Sequence, residues 1–184
     1  MRIRHHASLG LAATACLVLS GCTNAADWNA NRSSQIHSFD TSSIQAQPDI
    51  IAKLPQGALE DGVLDVAAST DYAPAEFLDP SGTAVGYDVD LTNAIAAVLG
   101  VKGKVHTAEF DSIIASIGSK YDAGISSFTV TPERTAAVDM TAHINAGPRF
   151  NVHAGNPTGV APPHPLQLHR RTIAVQGGTA QAPT

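Results

Sequence analysis

Between residues 63 and 125 the apolar pattern switches repeatedly between period two and a helical period, and that alternation limits the possible folds more than any other feature. Val63-Leu64-Asp65-Val66-Ala67-Ala68, entered from the turn-forming Asp61-Gly62, reads as a short buried strand. Behind Asp88, the residues Leu91, Ile95, Val98 and Leu99 share one helical face, and Gly100 supplies a stop. Residues 101–107 alternate as a second strand, Asp111 can cap a helix with Ile113, Ile114 and Ile117 on one side, and residues 121–125 read as a third strand. Strand, helix, strand, helix, strand implies right-handed crossovers, hence an α/β fold with a parallel sheet. Ligands of such sheets sit beyond the carboxyl ends of the strands. The loops after Ala68 and after Ile125 are therefore the places to search.

Composition narrows the function. The 184 residues carry 11 Lys+Arg against 16 Asp+Glu, a net charge of -5, with 43% hydrophobic residues. This describes a globular domain or two small ones, and without a Lys/Arg cluster nucleic acid is not the expected partner. No apolar run reaches the roughly 18 to 20 residues of a membrane-spanning helix. The first residues have a different layout: Arg2 and Arg4, an apolar stretch over residues 7–19, then Leu19-Ser20-Gly21-Cys22. That is the form of a secretory signal over residues 1–21, ending in a lipobox whose Cys22 receives lipid. Cys16 would leave with the signal, so no intramolecular disulfide is expected. Loss of Arg2 and Arg4 leaves nine basic against sixteen acidic residues, a net of -7. Two acyl chains on Cys22 would hold the chain at a membrane firmly.

Residues 22–57 are rich in Ser, Asn, Gln, Asp and Ala and read as a polar tether, with one apolar patch at Ile50, Ile51 and Leu54. Residues 58–147 carry the α/β pattern. In residues 148–184 prolines concentrate, and the strand-like Thr172-Ile173-Ala174-Val175-Gln176 precedes Gly177-Gly178-Thr179. Such a strand with a glycine turn looks like the incomplete start of a second lobe.

The densest polar stretch is Asp122-Ala123-Gly124-Ile125-Ser126-Ser127-Phe128-Thr129-Val130-Thr131-Pro132-Glu133-Arg134. Thr131 is a good N-cap with Pro132 at the first helical position, which puts Arg134 in a first turn beside hydroxyls. A guanidinium fork there suits a carboxylate, gripping two oxygens at once; a surface arginine beside a capped helix is the plainer alternative. The other loop, Ser69-Thr70-Asp71-Tyr72-Ala73-Pro74-Ala75-Glu76-Phe77, offers aromatics that could cover an aliphatic or cationic group. Its plainer alternative is a turn in which Asp71 bonds its own backbone and Phe77 is core. No Gly-x-Ser-x-Gly elbow is present, and His143, His153, His164 and His169 fit no metal-ligand spacing. Gly177-Gly178 lacks the rest of a phosphate or dinucleotide fingerprint, so no cofactor is expected.

With these motifs in their order and spacing, residues 66–77, then Val85-Gly86-Tyr87-Asp88-Val89-Asp90-Leu91, then residues 122–134, the chain resembles the family 3 extracytoplasmic solute-binding proteins, polar amino acid receptors of ABC importers. The resemblance covers residues 58–147 and resumes at 172–181. It implies two α/β lobes closing on an amino acid, of which residues 58–147 would be lobe one and the second lobe would be incomplete. It also implies that Arg134 takes the ligand carboxylate, that Ser126, Ser127 and Thr129 supply hydroxyl and backbone contacts, and that Tyr72 stacks on the ligand. Phe77 and Phe128 would line the pocket, and Thr179 would be an early contact from lobe two. The implied partners are a membrane permease and the amino acid, for a single-copy, non-enzymatic protein. Family members run longer and carry an acidic group in lobe two for the ligand ammonium, so a truncated chain with weak or no binding is expected. Two alternatives stand beside this: a cyclohexadienyl-type dehydratase using Glu76, its pKa raised by burial, as acid, or a remnant without a ligand.

Overall fold

The computed structural model describes residues 38–147, 151–160 and 172–182. The signal segment, Cys22 and the first part of the tether lie outside the described residues, as do His164 and His169. The elements in chain order are α1 (Pro48–Ile51), β1 (Val63–Ala68), β2 (Asp71–Tyr72), β3 (Glu76–Leu78), β4 (Ala84–Val85), α2 (Tyr87–Leu99), β5 (Lys102–Thr107), α3 (Phe110–Ser116), β6 (Ala123–Gly124) and α4 (Pro132–Thr135).

The central sheet has the order β5-β1-β6, with both pairings parallel, as the alternating pattern requires. In register, Val63 faces Lys102 and Ala68 faces Thr107 on one side, while Val66 and Ala67 face Ala123 and Gly124 on the other. The chain leaves β1 for β5 on one flank and later returns to the other flank as β6. This reversal makes the carboxyl end of β1 the topological switch point, where open α/β sheets hold ligands.

The period-two pattern of β1 divides the interior between two faces. Leu64 and Val66 pack with Ala96 of α2, joined by Leu59, Val101, Ala123 and Ile125. Ala67 packs on the opposite face with Ile113 of α3 and Tyr121, joined by Ala108, Ile117 and Phe128. Asp65 has the parity of Ala67, but its carboxylate bonds the His106 ring instead of entering the core.

Several sequence expectations need correction. Helix α2 exists and Gly100 ends it in the left-handed conformation, but Ile95 is exposed and the buried positions are Asp88, Val89, Thr92 and Ala96. Two of those are polar: the Thr92 hydroxyl is turned back onto the Asp88 carbonyl, and Asp88 belongs to a buried network described below. Helix α3 is capped at Glu109, so Asp111 lies in the first turn and makes no cap bond. The third strand is shorter than residues 121–125, although Tyr121 bridges Ile117 and the Ile125 N–H donates to the Ala67 carbonyl. Residues 172–176 form no strand, because among the described residues no sheet edge pairs with them.

The expected tether is partly docked. The Gln47 N–H donates to the Val98 carbonyl at 2.8 Å and the Phe39 N–H to Asp90 Oδ2 at 2.8 Å. Ala46 and Ile51 lie against Gly100. A polar composition alone did not show that residues 39–51 dock on α2, with Ile51 of the apolar patch beside Gly100.

Candidate functional site

Three loops leave the carboxyl edge of the central sheet, and hydrogen bonds join them. The Ser69 N–H, just after β1, donates to Ser126 Oγ, after β6, at 2.9 Å. Thr70 Oγ1 meets Thr107 Oγ1, at the end of β5, at 2.9 Å. The Ser69 hydroxyl also donates to Asp71 Oδ1, which fixes the start of the hairpin carrying Tyr72.

Beneath these loops, the β2–β3–β4 hairpins place Glu76 where it is 0% exposed. Ser126 Oγ donates to Glu76 Oε1 at 2.7 Å, and Asp88, also 0% exposed, accepts from His143 Nε2 at Oδ1 at 2.8 Å. Glu76 Oε2 and Asp88 Oδ2 have no partner among the described residues. Burial pushes the Glu76 carboxyl up to about 8 against the pull of the Ser126 hydroxyl, and the negative charges of Asp88 and Asp71 push it the same way.

Arg134 sits as the sequence suggests. Thr131 caps α4, its Oγ1 accepting from the Arg134 N–H at 3.4 Å, with Pro132 at the start of the helix. The guanidinium lies 5.3 Å from the Phe128 ring centre and 5.7 Å from that of Phe110, and these rings stack on each other at 4.6 Å. Nη1 donates to the Thr129 carbonyl and Nη2 to the Gly178 carbonyl, each at 2.7 Å. An aromatic pair thus orients a cation whose outer donor already meets an oxygen acceptor.

The remaining expected residues separate into two groups. Ser127 belongs with Arg134: it holds φ 48, an uncommon conformation for a non-glycine residue, and its Oγ is buried without a hydrogen-bond partner beside the Tyr87 phenol. Phe128 is half-buried against Phe110, and Thr129 contributes its carbonyl while its side chain is exposed. Tyr72 is 55% exposed at the hairpin tip. Phe77, by contrast, is 2% exposed and packs as core, the plainer of its two sequence readings. Ser126 spends its hydroxyl on Glu76 and accepts from Ser69, so its side chain acts within the scaffold. Thr179 donates to the Gln176 carbonyl within its own turn, leaving Gly178 as the residue of that segment that reaches Arg134. Glu76 does have the raised pKa wanted of a dehydratase acid, yet it is sealed from any substrate.

Phe110, His143 and the Gly178 carbonyl were not foreseen. Phe110 had an available signal, since an aromatic opening the helix after β5 also lies at the carboxyl edge, beyond the third loop of the sheet. His143 had none, because its partner Asp88 is 55 residues away.

A parallel sheet with its switch point at β1, and an arginine held over an aromatic pair at that edge, place the chain among α/β ligand-binding lobes. The profile of the bacterial extracellular solute-binding proteins, family 3, matches residues 64–175, and the chain belongs to that family. It is 29% identical over 174 residues to the arginine-binding protein ArgT of Corynebacterium glutamicum, an alignment covering 94% of this chain and 54% of that protein. It is 34% identical over 107 residues to the L-arginine-binding protein of Pseudomonas aeruginosa, covering 57% of this chain and 41% of that one. The chain therefore spans about half the length of the curated relatives it matches. Among solved structures it is similar to an ancestral arginine-binding protein bound to arginine, at 42% identity and a TM-score of 0.41, covering 42% of this chain and 35% of that chain.

Proposed function

We propose that this chain is the extracytoplasmic substrate-binding component of an ABC importer and that it takes an amino acid by its carboxylate, with a cationic amino acid such as arginine as the substrate class. The observation carrying this reading is Arg134: its guanidinium is fixed over Phe110 and Phe128, and Nη2 points to an oxygen acceptor at 2.7 Å. A carboxylate oxygen meets the same donor more strongly than the Gly178 carbonyl does, because donor and acceptor are then both charged. Ser127, in the same loop and held at φ 48, offers its backbone to the same ligand, its Oγ being buried beside the Tyr87 phenol. The exposed Tyr72 ring and the Asp71 carboxylate suit a cationic side chain, and the relatives named above are arginine-binding proteins.

The same reading assigns residues 1–21 to a signal, Cys22 to a lipid anchor on the extracytoplasmic face of the cell membrane, part of residues 22–57 to a tether, 58–147 to lobe one and 148–184 to the passage toward lobe two. A membrane permease is the partner, and one copy of the chain suffices for binding. No catalysis is assigned, since Glu76 is sealed beneath Ser126. Isothermal titration of L-arginine into the protein and into Arg134→Ala tests the site. The expected result is a dissociation constant raised about a hundredfold in the variant, worth ~2.7 kcal/mol. Equal affinities, or no heat with any cationic amino acid, would overturn it.

A further inference from the structure

Two carboxyls lie buried beneath the loop edge. Glu76 and Asp88 are both 0% exposed, and each has one oxygen bonded, to Ser126 and to His143 respectively, and one without a partner. The Asp88 N–H donates at 2.9 Å to the carbonyl of Ala75, the residue before Glu76, which brings the two carboxyls together under the loops, and the Asp88 charge helps to raise Glu76. Two carboxylate oxygens only accept, so they can bond each other only through a proton. A shared proton on Glu76 Oε2, donated to Asp88 Oδ2, satisfies both unpartnered atoms at once. It leaves Oε1 as acceptor for Ser126 and Oδ1 as acceptor for the His143 ring. We propose that Glu76 and Asp88 hold one proton between them, and that this proton is the strut positioning Ser126 and, through it, the Ser126-Ser127-Phe128-Thr129 loop.

The mechanical link is short. Ser126 ties Glu76 to the Ser69 N–H, and the next residues along the chain are Ser127, with its strained backbone, and Phe128, which carries Arg134 on its ring. The charged and titratable groups facing Glu76 are Asp71 and Tyr72 from β2, Tyr87 and Asp88 from α2, and His143, through Asp88, from the segment after α4. Among the described residues His143 is the only base bonded to either carboxyl. Removing the proton leaves two buried negative charges side by side, which separate or draw in water. The folded Glu76 binds its proton more tightly than an exposed glutamate, so stability is greatest below the ordinary carboxyl range and falls as pH rises toward about 8.

Glu76 is thus a positioning residue, and its significance for amino acid binding rests on the function proposed above, but the proton is tested without any ligand. The measurement is a carboxyl ¹³C titration of the unliganded protein with the backbone amides of residues 126–129 followed in the same samples. The expected result is a Glu76 midpoint near 8, far above the usual 4.5, with the loop amides moving at that same midpoint. Glu76→Gln, whose amide can donate to Asp88 and accept from Ser126, is expected to abolish the loop's response and to flatten the fall of melting temperature between pH 6 and pH 9. Should Glu76→Gln not fold, Asp88→Asn still keeps the His143 bond and offers Glu76 a neutral donor, and it is expected to bring the Glu76 midpoint down. A Glu76 midpoint in the ordinary carboxyl range, loop amides indifferent to it, or an unchanged midpoint in Asp88→Asn would each overturn the proposal. Failure to bind arginine at any pH would count against the proposed function and leave these readouts as they are.

Discussion

At the residue scale the site divides into groups that hold the scaffold and groups that face outward, and chain position alone did not separate them. Ser126 and Ser127 are neighbours of the same type, and the family resemblance implies the same role for both. The structure turns one hydroxyl onto Glu76 and leaves the next buried without a partner. The difference arises from the positive φ of Ser127, which redirects the chain after β6. Ser126→Ala removes the donor to Glu76 Oε1 and the acceptor of the Ser69 N–H together. Leaving two buried polar groups unpaired is expected to lower stability by about 2 kcal/mol or more, read as an earlier urea midpoint with an unchanged slope. Arg134 was legible because Thr131 and Pro132 announce a helix start three residues before it. Its bed of two rings was half legible, since Phe128 lies in the motif and Phe110 reaches it only through the fold.

At the scale of elements, strands and helices with an unambiguous period were readable: β1 and β5 fall where the alternation places them, and Gly100 ends α2. The face of α2 was misread because the apolar Ile95 side is not the buried one. That helix buries Asp88 and Thr92 to build the polar network under the loops, a choice that hydrophobicity cannot reveal. Strands β2, β3 and β4 are two or three residues long, too short to show any period. The start of α2 depends on tertiary contact: no side chain caps it, and the Tyr87 and Asp88 N–H groups instead donate to the Pro74 and Ala75 carbonyls at 3.3 and 2.9 Å. Gly86 makes this possible at φ 124, since a Cβ there would lie 2.2 Å from the Ala75 carbonyl oxygen. Gly86→Ala is expected to destabilise the protein by about 2 kcal/mol or more and to disturb Glu76 with it, checked by thermal unfolding and by exchange of the Asp88 amide.

On the scale of the whole molecule, three loops stitched across one sheet edge, a docked stretch over residues 39–51 and a buried acid pair form one lobe that presents Arg134 at its switch point. The parallel order was legible because alternating elements leave few topologies open. The docking of the expected tether and the contact between Gly178 and Arg134, 44 residues apart, were not, because neither leaves a local trace in composition. The proposed role of the Arg134 guanidinium is to grip the acid end of an amino acid. It is tested most directly by following the Arg134 guanidinium resonances, assigned by their loss in Arg134→Lys, while L-arginine or its decarboxylated analogue agmatine is added. The expected result is a saturable shift with L-arginine that agmatine does not produce. Equal shifts with both ligands, or none with L-arginine, would contradict it.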